Sequence, residues 1–114
     1  MHELGIAESA LQTALEQARL NNATSVQRIV IRVGALSGVD PEALRFAFEV
    51  VLPGTMAENA VLQIDPVPAV AYCADCARDF VPDTDHFLEC PQCGRLCRTI
   101  KQGRELDLIH LEMT

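Results

Sequence analysis

Four of the five cysteines form two closely spaced pairs, Cys73/Cys76 and Cys90/Cys93, which thirteen residues separate. Two thiolates three positions apart on a tight turn can bind one metal ion, and a second such turn completes a tetrahedral ligand set. Because a closed four-thiolate site leaves no coordination position for a reactant, the pattern predicts structural zinc. Iron in the same thiolate cage and a redox-active dithiol are the alternatives that the spacing leaves open.

Four other residues in this segment bear on the same chemistry. Cys97 is either a spare ligand or a small buried hydrophobic residue, and we favour the second interpretation. His86 either replaces a cysteine in one metal state or is a solvated loop residue, and again we favour the second. Gly94 follows the second pair, where a permissive backbone lets an amide turn back toward a thiolate, and Ala77 holds the equivalent position after the first pair.

The first three residues, Met1-His2-Glu3, form a second group that could bind a metal ion. A bulky residue at position 2 keeps Met1 in place, which leaves an α-amine with a reference pKa of about 7.7–8.0 close to an imidazole. That amine, the main-chain nitrogens of residues 2 and 3 and the His2 ring can surround one ion, and a square-planar nitrogen set suits Ni(II) or Cu(II). Such an open, terminal site fits a metal carrier. Taken alone, the tripeptide is more often a solvated segment before a helix.

Two helices are predicted in the first half of the chain. Apolar residues at three- and four-residue intervals place the first helix from about Leu4 to Ala18, and Asn21-Asn22 is its expected stop. Asp40-Pro41 has the form of an N-cap followed by proline at the first helical position, and this second helix is expected to run to about Leu52.

Three strands are predicted at residues 26–33, 60–67 and 104–113, the last with Ile109, Leu111 and Met113 on one face. The element order predicts an α+β fold in which two helices pack on a three-stranded sheet. Residues 1–70 and 101–114 are assigned to this α/β domain, which carries the N-terminal metal-binding group. Residues 71–100 are an inserted, zinc-ribbon-like subdomain, because so short a segment cannot bury enough surface to fold without a metal.

Composition excludes several classes of protein. A net charge of -7 without a Lys/Arg-rich run argues against binding to nucleic acid or to an anionic membrane. The N-terminus has no basic start followed by a long apolar run, so we expect a soluble, cytoplasmic protein. In that compartment five cysteines indicate metal or redox chemistry rather than a disulfide framework. The chain contains no H-E-x-x-H motif, Gly-rich phosphate loop or nucleophile elbow, so we do not expect an enzyme.

Over essentially its whole length, the chain resembles the HypA/HybF family of hydrogenase nickel-incorporation proteins. The resemblance begins at Met1-His2-Glu3-Leu4, continues through residues 32–37 and 40–48, and ends with the paired cysteine knuckles before a closing strand. A Met-His-Glu start combined with two late knuckles is a highly specific pattern.

The resemblance implies a nickel metallochaperone that delivers Ni(II) to the large subunit of [NiFe]-hydrogenase together with a HypB-type GTPase; some members also serve urease. His2 matches the family's nickel ligand, completed by the Met1 amine and nearby main-chain nitrogens, and Glu3 matches the residue that tunes the site. The paired cysteines match the structural zinc ligands. Asp40 falls where some relatives place a carboxylate near nickel, although its role as an N-cap explains it equally well.

An oligomeric state of monomer or weak homodimer is expected. The alternative function is a zinc-ribbon module that binds proteins or nucleic acid without transferring nickel. The acidic balance and the lack of interleaved aromatic and basic residues argue against a nucleic-acid module.

Overall fold

The structure is a computed structural model that describes residues 3–83 and 87–114. The helices and strands assigned in these ranges are, in chain order, α1 (Glu3–Leu20), β1 (Val26–Gly34), α2 (Pro41–Val51), β2 (Val61–Val67), β3 (Val70–Cys73), β4 (Arg78–Phe80), β5 (Thr99–Gln102) and β6 (Leu106–Met113). Neither helix is long and apolar enough to cross a membrane, in the part of the chain that is described.

The first sheet has the strand order β2-β1-β6, with β1 parallel to β2 and antiparallel to β6. Helix α2 makes the crossover between the two parallel strands, which cannot be joined by a tight turn. Both helices pack on this sheet, which confirms the predicted α+β arrangement. The core between them consists of fourteen buried residues: Ala7, Leu11, Ala14, Ala18, Val26, Ile29, Ile31, Val33, Val39, Leu44, Ala47, Phe48, Leu52 and Ala57.

The C-terminus of α1 is closed by the predicted asparagine pair. Asn22 adopts a left-handed conformation with φ of 55°, which asparagine tolerates better than most residues. The Ala23 N–H then bonds the Ala18 carbonyl at 2.9 Å, and the Asn22 N–H bonds the Arg19 carbonyl at 3.1 Å. These two bonds form a Schellman motif, so the predicted helix stop is confirmed.

One face of β6 differs from the prediction. Val30 pairs with His110 whereas Ile31 pairs with Leu108, so the register shifts at Ile109. This bulge turns Ile109 away from the core, and the residue is 39% exposed. Leu111 does pack against the core, so the prediction that it shares one face with Ile109 is wrong.

A second sheet, in the order β4-β3-β5, surrounds the cysteines. Both β4 and β5 are antiparallel to β3. Cys73, Cys90 and Cys97 form a buried cluster beside this sheet, and the partly buried Cys76 and Phe80 pack against them. The predicted subdomain of residues 71–100 overlaps this sheet, and its independence as a domain stays a prediction.

Two glycines permit a close backbone crossing between the first sheet and the turn after β5. The Gly34 N–H donates to the Glu105 carbonyl at 2.7 Å, and the Leu36 N–H donates to the Gly103 carbonyl at 2.6 Å. A Cβ added to Gly34 would lie 2.1 Å from the Gly103 oxygen. Gly103 itself has a φ of 122°, a conformation that residues with a side chain rarely adopt. Glycine is therefore required on both sides of the crossing.

Candidate metal centres

The four paired cysteines converge on one point. Their sulfur atoms all lie within 4.8 Å of one another, which confirms that the two knuckles meet. The Cys73 and Cys93 sulfurs are 3.7 Å apart, and the Cys76 and Cys90 sulfurs are 3.9 Å apart. A regular tetrahedron with zinc–sulfur bonds of about 2.3 Å has sulfur–sulfur edges of about 3.8 Å. The spacing of the thiols thus fits one tetrahedral zinc ion.

Each knuckle is a turn held by backbone pairing. The first turn joins β3 to β4, where Cys73 pairs with Arg78. In the second, a β-bridge joins Glu89 to Leu96, and the Cys90 N–H donates to the Arg95 carbonyl at 2.9 Å. These pairings fix the ends of both turns, so the two sulfurs of each pair face the same point.

The residue after each cysteine pair is left-handed. Gly94 has a φ of 74°, and its N–H donates to the Cys90 carbonyl at 2.8 Å. Ala77 occupies the equivalent position with a φ of 51°. For a residue with a Cβ, this conformation costs about 1–2 kcal/mol. Ala77 is therefore a strained point of the first knuckle, whereas Gly94 meets the same requirement without strain.

Backbone amides and neighbouring sulfurs set the protonation of the thiols. The Cys76 backbone N–H donates to the Cys73 sulfur and lowers the pKa of Cys73 to about 6, against burial, which raises it. The Cys93 sulfur is the main cause that raises the pKa of Cys76 to about 12. The Arg95 backbone N–H favours the Cys93 thiolate, but desolvation of the sulfur by its neighbours and hydrogen bonds with adjacent sulfurs leave the pKa of Cys93 raised. Several adjacent thiolates are stable together only with a cation among them.

Burial divides the cluster into an inner and an outer part. Cys73 and Cys90 are buried, Cys76 is half-buried and Cys93 is exposed. Cys97 is also buried, so the structure agrees with the favoured interpretation of this residue. The pKa of the Cys97 thiol is raised to about 11. Burial is the main cause, and the neighbouring Cys73 sulfur is the second cause that raises it. His86 lies outside the described residues.

The N-terminal group is described from Glu3 onward, and both Met1 and His2 lie outside the described residues. Glu3 is the first residue of α1, and its Oε2 accepts a hydrogen bond of 3.1 Å from the Asp40 backbone N–H. The structure thus brings two of the predicted site residues together across 37 positions of sequence. The sequence analysis did not predict this contact. The one feature of the sequence that points to it is that both carboxylates lie at the N-terminus of a helix.

Asp40 also caps α2. Its Oδ1 accepts a hydrogen bond from the Glu42 backbone N–H at 3.0 Å, and Pro41 takes the first helical position, as predicted. The buried side chains of Leu44 and Phe48 fix the helix against the core. The Asp40 backbone N–H therefore orients Glu3. The Asp40 carboxylate meanwhile accepts a hydrogen bond from a backbone N–H group at the N-terminus of α2.

The cations around the second sheet are partly paired with acids. Between residues 70 and 102 the sequence has four Lys/Arg and five Asp/Glu. Arg95 forms an ion pair with Asp75, and the Lys101 Nζ lies 3.1 Å from an Asp79 carboxylate oxygen. In residues 70–83 and 87–102, which the structure describes, this arrangement does not provide the clustered free cations that a phosphate backbone requires.

Comparison with known proteins gives matches along the full chain. A sequence model of the family described as "Hydrogenase/urease nickel incorporation, metallochaperone, hypA" matches residues 1–113. Proteins named hydrogenase maturation factor HypA are similar at 47% identity in a Picosynechococcus species and at 43% in Acidithiobacillus ferrooxidans, each alignment covering 99% of both chains. A solution structure of the Ni metallochaperone HypA from Helicobacter pylori is similar with a TM-score of 0.69 and 30% identity, covering 99% of this chain and 97% of that one. These matches confirm the resemblance drawn from the motifs.

Proposed function

Because the chain belongs to the HypA family of hydrogenase and urease nickel-incorporation metallochaperones, we propose that it carries one Ni(II) ion to the large subunit of [NiFe]-hydrogenase. The nickel ion is cargo, which the chain receives and releases by ligand exchange, with no catalytic step of its own. We propose a HypB-type GTPase as its working partner and the cytoplasm as its location. These finer assignments follow from the family resemblance.

The proposed nickel ligands are the Met1 α-amine, the His2 imidazole and the main-chain nitrogens of residues 2 and 3. Four nitrogen donors in a plane suit Ni(II). The family match, which includes residues 1–3, carries this assignment. The 3.1 Å hydrogen bond from the Asp40 amide to Glu3 supports it, because it ties the start of α1 to the start of α2. Glu3 then orients the segment that bears the ligands. Asp40 acts as the helix cap and the anchor of Glu3, not as a ligand.

The proposed zinc ligands are the thiolates of Cys73, Cys76, Cys90 and Cys93. Zinc bound there supplies a closed tetrahedral crosslink with no open position. Its role is to hold the two knuckles of the second sheet together, since that sheet packs mainly around sulfur. Zinc and nickel thus occupy separate sites with different ligands, one permanent and one exchangeable.

Calorimetric titration of the untagged protein with Ni(II) tests the nickel assignment, with zinc content measured in parallel. We expect His2→Ala to weaken nickel binding by more than about a hundredfold, because it removes the ring donor, while one zinc per chain remains. His110→Ala is the matched control, since His110 is an exposed histidine of β6 that bonds only Glu112 among the contacts described. Unchanged nickel affinity in His2→Ala would refute the assignment.

A transfer assay tests delivery as distinct from storage. Nickel-loaded protein is mixed with the nickel-free large subunit, with the GTPase and GTP present or absent, and the subunit is recovered for metal analysis. We expect nickel to reach the subunit in the presence of a chelator that captures the free ion. Transfer that the chelator abolishes would indicate release into solution and would contradict direct delivery.

A further inference from the structure

Helix α2 carries two large apolar side chains on its solvent side. Phe46 is 66% exposed and Val50 is 56% exposed. They are four positions apart, so they are neighbours on one face of the helix, and the buried Leu44 and Phe48 hold the opposite face against the core. Single apolar residues are ordinary on a protein surface, but this adjacent pair forms a continuous apolar surface in contact with water. We call Phe46 and Val50 the α2 stripe.

The charge beside the α2 stripe is negative. Glu42 precedes Phe46 by four residues and Glu49 follows it by three, so both carboxylates flank the phenylalanine. Both glutamates are exposed, and neither carboxylate forms an ion pair with another described residue. Arg45 is the one basic residue of α2, and its guanidinium donates to the Leu62 carbonyl of β2 at 3.2 Å. The stripe therefore combines exposed apolar surface with negative charge that the fold does not neutralise.

The α2 stripe also lies close to the proposed nickel site. Helix α2 begins beside Asp40, whose backbone N–H bonds the Glu3 carboxylate at 3.1 Å. Phe46 follows Asp40 by six residues, which corresponds to about 9 Å along a helix axis. Ligand exchange requires the protein that accepts the nickel ion to touch the N-terminal ligands. An acceptor at that end of the molecule has the stripe within reach.

We propose that the α2 stripe is the surface on which the hydrogenase large subunit docks to receive nickel, through a segment whose apolar side chains are flanked by Lys or Arg. This inference rests on the delivery function proposed above. The basic side chains of that segment pair with Glu42 and Glu49, while its apolar side chains cover Phe46 and Val50. Aromatic residues in the centre of an interface contribute a large share of the binding energy, so Phe46 is the expected anchor.

Two other occupants of the stripe fit less well. In a two-fold dimer the same patch meets itself, so Glu42 and Glu49 of one copy would face the same carboxylates of the other copy. Like charges brought together across an interface oppose association. The GTPase is not the final acceptor of the ion, so it has no need to reach the N-terminal ligands. The acceptor is the occupant that both the charge and the position of the stripe favour.

Calorimetric titration with the nickel-free large subunit tests the docking surface. We expect Phe46→Ala to weaken binding at least about tenfold, because it removes the anchor. Leu20→Ala is the matched control and should change the affinity less than about twofold, since Leu20 is 70% exposed but lies at the C-terminus of α1. Glu49→Lys should weaken binding at low salt and less at high salt. Glu16→Lys makes the same change of charge on α1 and should have little effect.

Each contrary result has a distinct meaning. Equal affinity of the large subunit for Phe46→Ala and for the unmodified protein would overturn the docking surface and leave the delivery function intact. Weakened binding of the GTPase alone would overturn the assignment to the large subunit, as would self-association that Phe46→Ala abolishes in sedimentation. If the unmodified protein did not bind the large subunit, direct delivery and the docking surface would both be refuted. Nickel affinity should be the same in all four variants, and its loss in Phe46→Ala would contradict a docking role.

Photo-crosslinking locates the contact without removing the anchor. A benzophenone amino acid is introduced at position 50 or, as the control, at position 20, and the protein is irradiated with the large subunit. We expect a crosslink from position 50 and none from position 20. Mass spectrometry of the linked peptide should identify a segment with apolar residues and flanking Lys or Arg. A crosslink from position 20 alone, or to a segment without basic residues, would overturn the proposal.

Discussion

Removal of the metal from the cysteine cluster should unfold the second sheet and leave the first intact. The second sheet buries Ala71, the cysteines and part of Phe80, and full burial of a phenylalanine contributes only about 1.5–3 kcal/mol. A structural zinc site in a small domain contributes about 10–16 kcal/mol. We therefore expect the metal to be the dominant stabilising interaction of this sheet. The first sheet has its own core of fourteen buried residues, so we expect it to stay folded without the cluster.

The chain provides a selective probe for this experiment. Tyr72 is the single tyrosine, tryptophan is absent from the sequence, and Tyr72 lies in β3 of the second sheet. The Lys101 Nζ lies 5.7 Å from the centre of its ring. Near-ultraviolet circular dichroism of Tyr72 thus reports the second sheet, whereas the far-ultraviolet helix signal reports α1 and α2. After chelation we expect the Tyr72 signal to vanish and the helix signal to remain.

Amide exchange supplies an independent test and a control. Residues 70–102 should lose protection on metal removal and regain it when zinc is added back, whereas β1 should stay protected throughout. Persistence of the Tyr72 signal in protein shown by elemental analysis to be free of metal would show that the second sheet folds without the metal. Loss of the helix signal would refute the independence of the first sheet.

The remaining predictions concern the helices, the glycine crossing and nickel. Phe48→Ala should destabilise the fold by about 3–5 kcal/mol in chemical denaturation, whereas Phe46→Ala, on the same helix but 66% exposed, should change stability by less than about 0.5 kcal/mol. Gly34→Ala should cost at least about 1–3 kcal/mol, because the new Cβ meets the Gly103 carbonyl; wild-type stability would contradict that clash. Asp40→Ala should lower the free energy of unfolding by about 1 kcal/mol, because it removes the N-cap of α2, whereas Asp40→Asn should keep the cap. A large loss of nickel affinity in Asp40→Asn would instead identify Asp40 as a nickel ligand. Nickel affinity should fall at least about tenfold per pH unit below about pH 6.5, because protonation of His2 removes its ring as a donor. The affinity is measured by titration between pH 5 and 7 at constant ionic strength. An affinity that does not change over this range would exclude the His2 imidazole as a nickel ligand.

Local patterns predicted much of the molecule. The cysteine spacing, the Asp40-Pro41 helix start and the Asn21-Asn22 stop depend on a few adjacent residues, and the structure confirms all three. The bulge at Ile109 could not be predicted, because alternation in one strand carries no information about the register of its partner.

Short strands and contacts between distant parts of the chain could not be predicted from the sequence. Strands β3, β4 and β5 are three or four residues long, which is too short for an alternating apolar pattern to be recognised. The contact of Glu3 with Asp40 and the crossing of Gly34 with Gly103 depend on the packing of whole elements. The apolar pattern of α1 begins at Leu4, but Leu4 is 47% exposed, since the buried stripe begins at Ala7.

The separation of an exchangeable nickel site from a permanent zinc site is tested most directly by adding the four residues Gly-Ser-Gly-Ser before Met1. This extension turns the Met1 α-amine into an amide and moves the free amine four residues away, too far to complete a four-nitrogen set with the His2 ring, while every cysteine is retained. Nickel and zinc are then measured together on the extended and the untagged protein by elemental analysis after dialysis. We expect the extended protein to lose its nickel and to keep one zinc per chain. Equal nickel in the two proteins would contradict it.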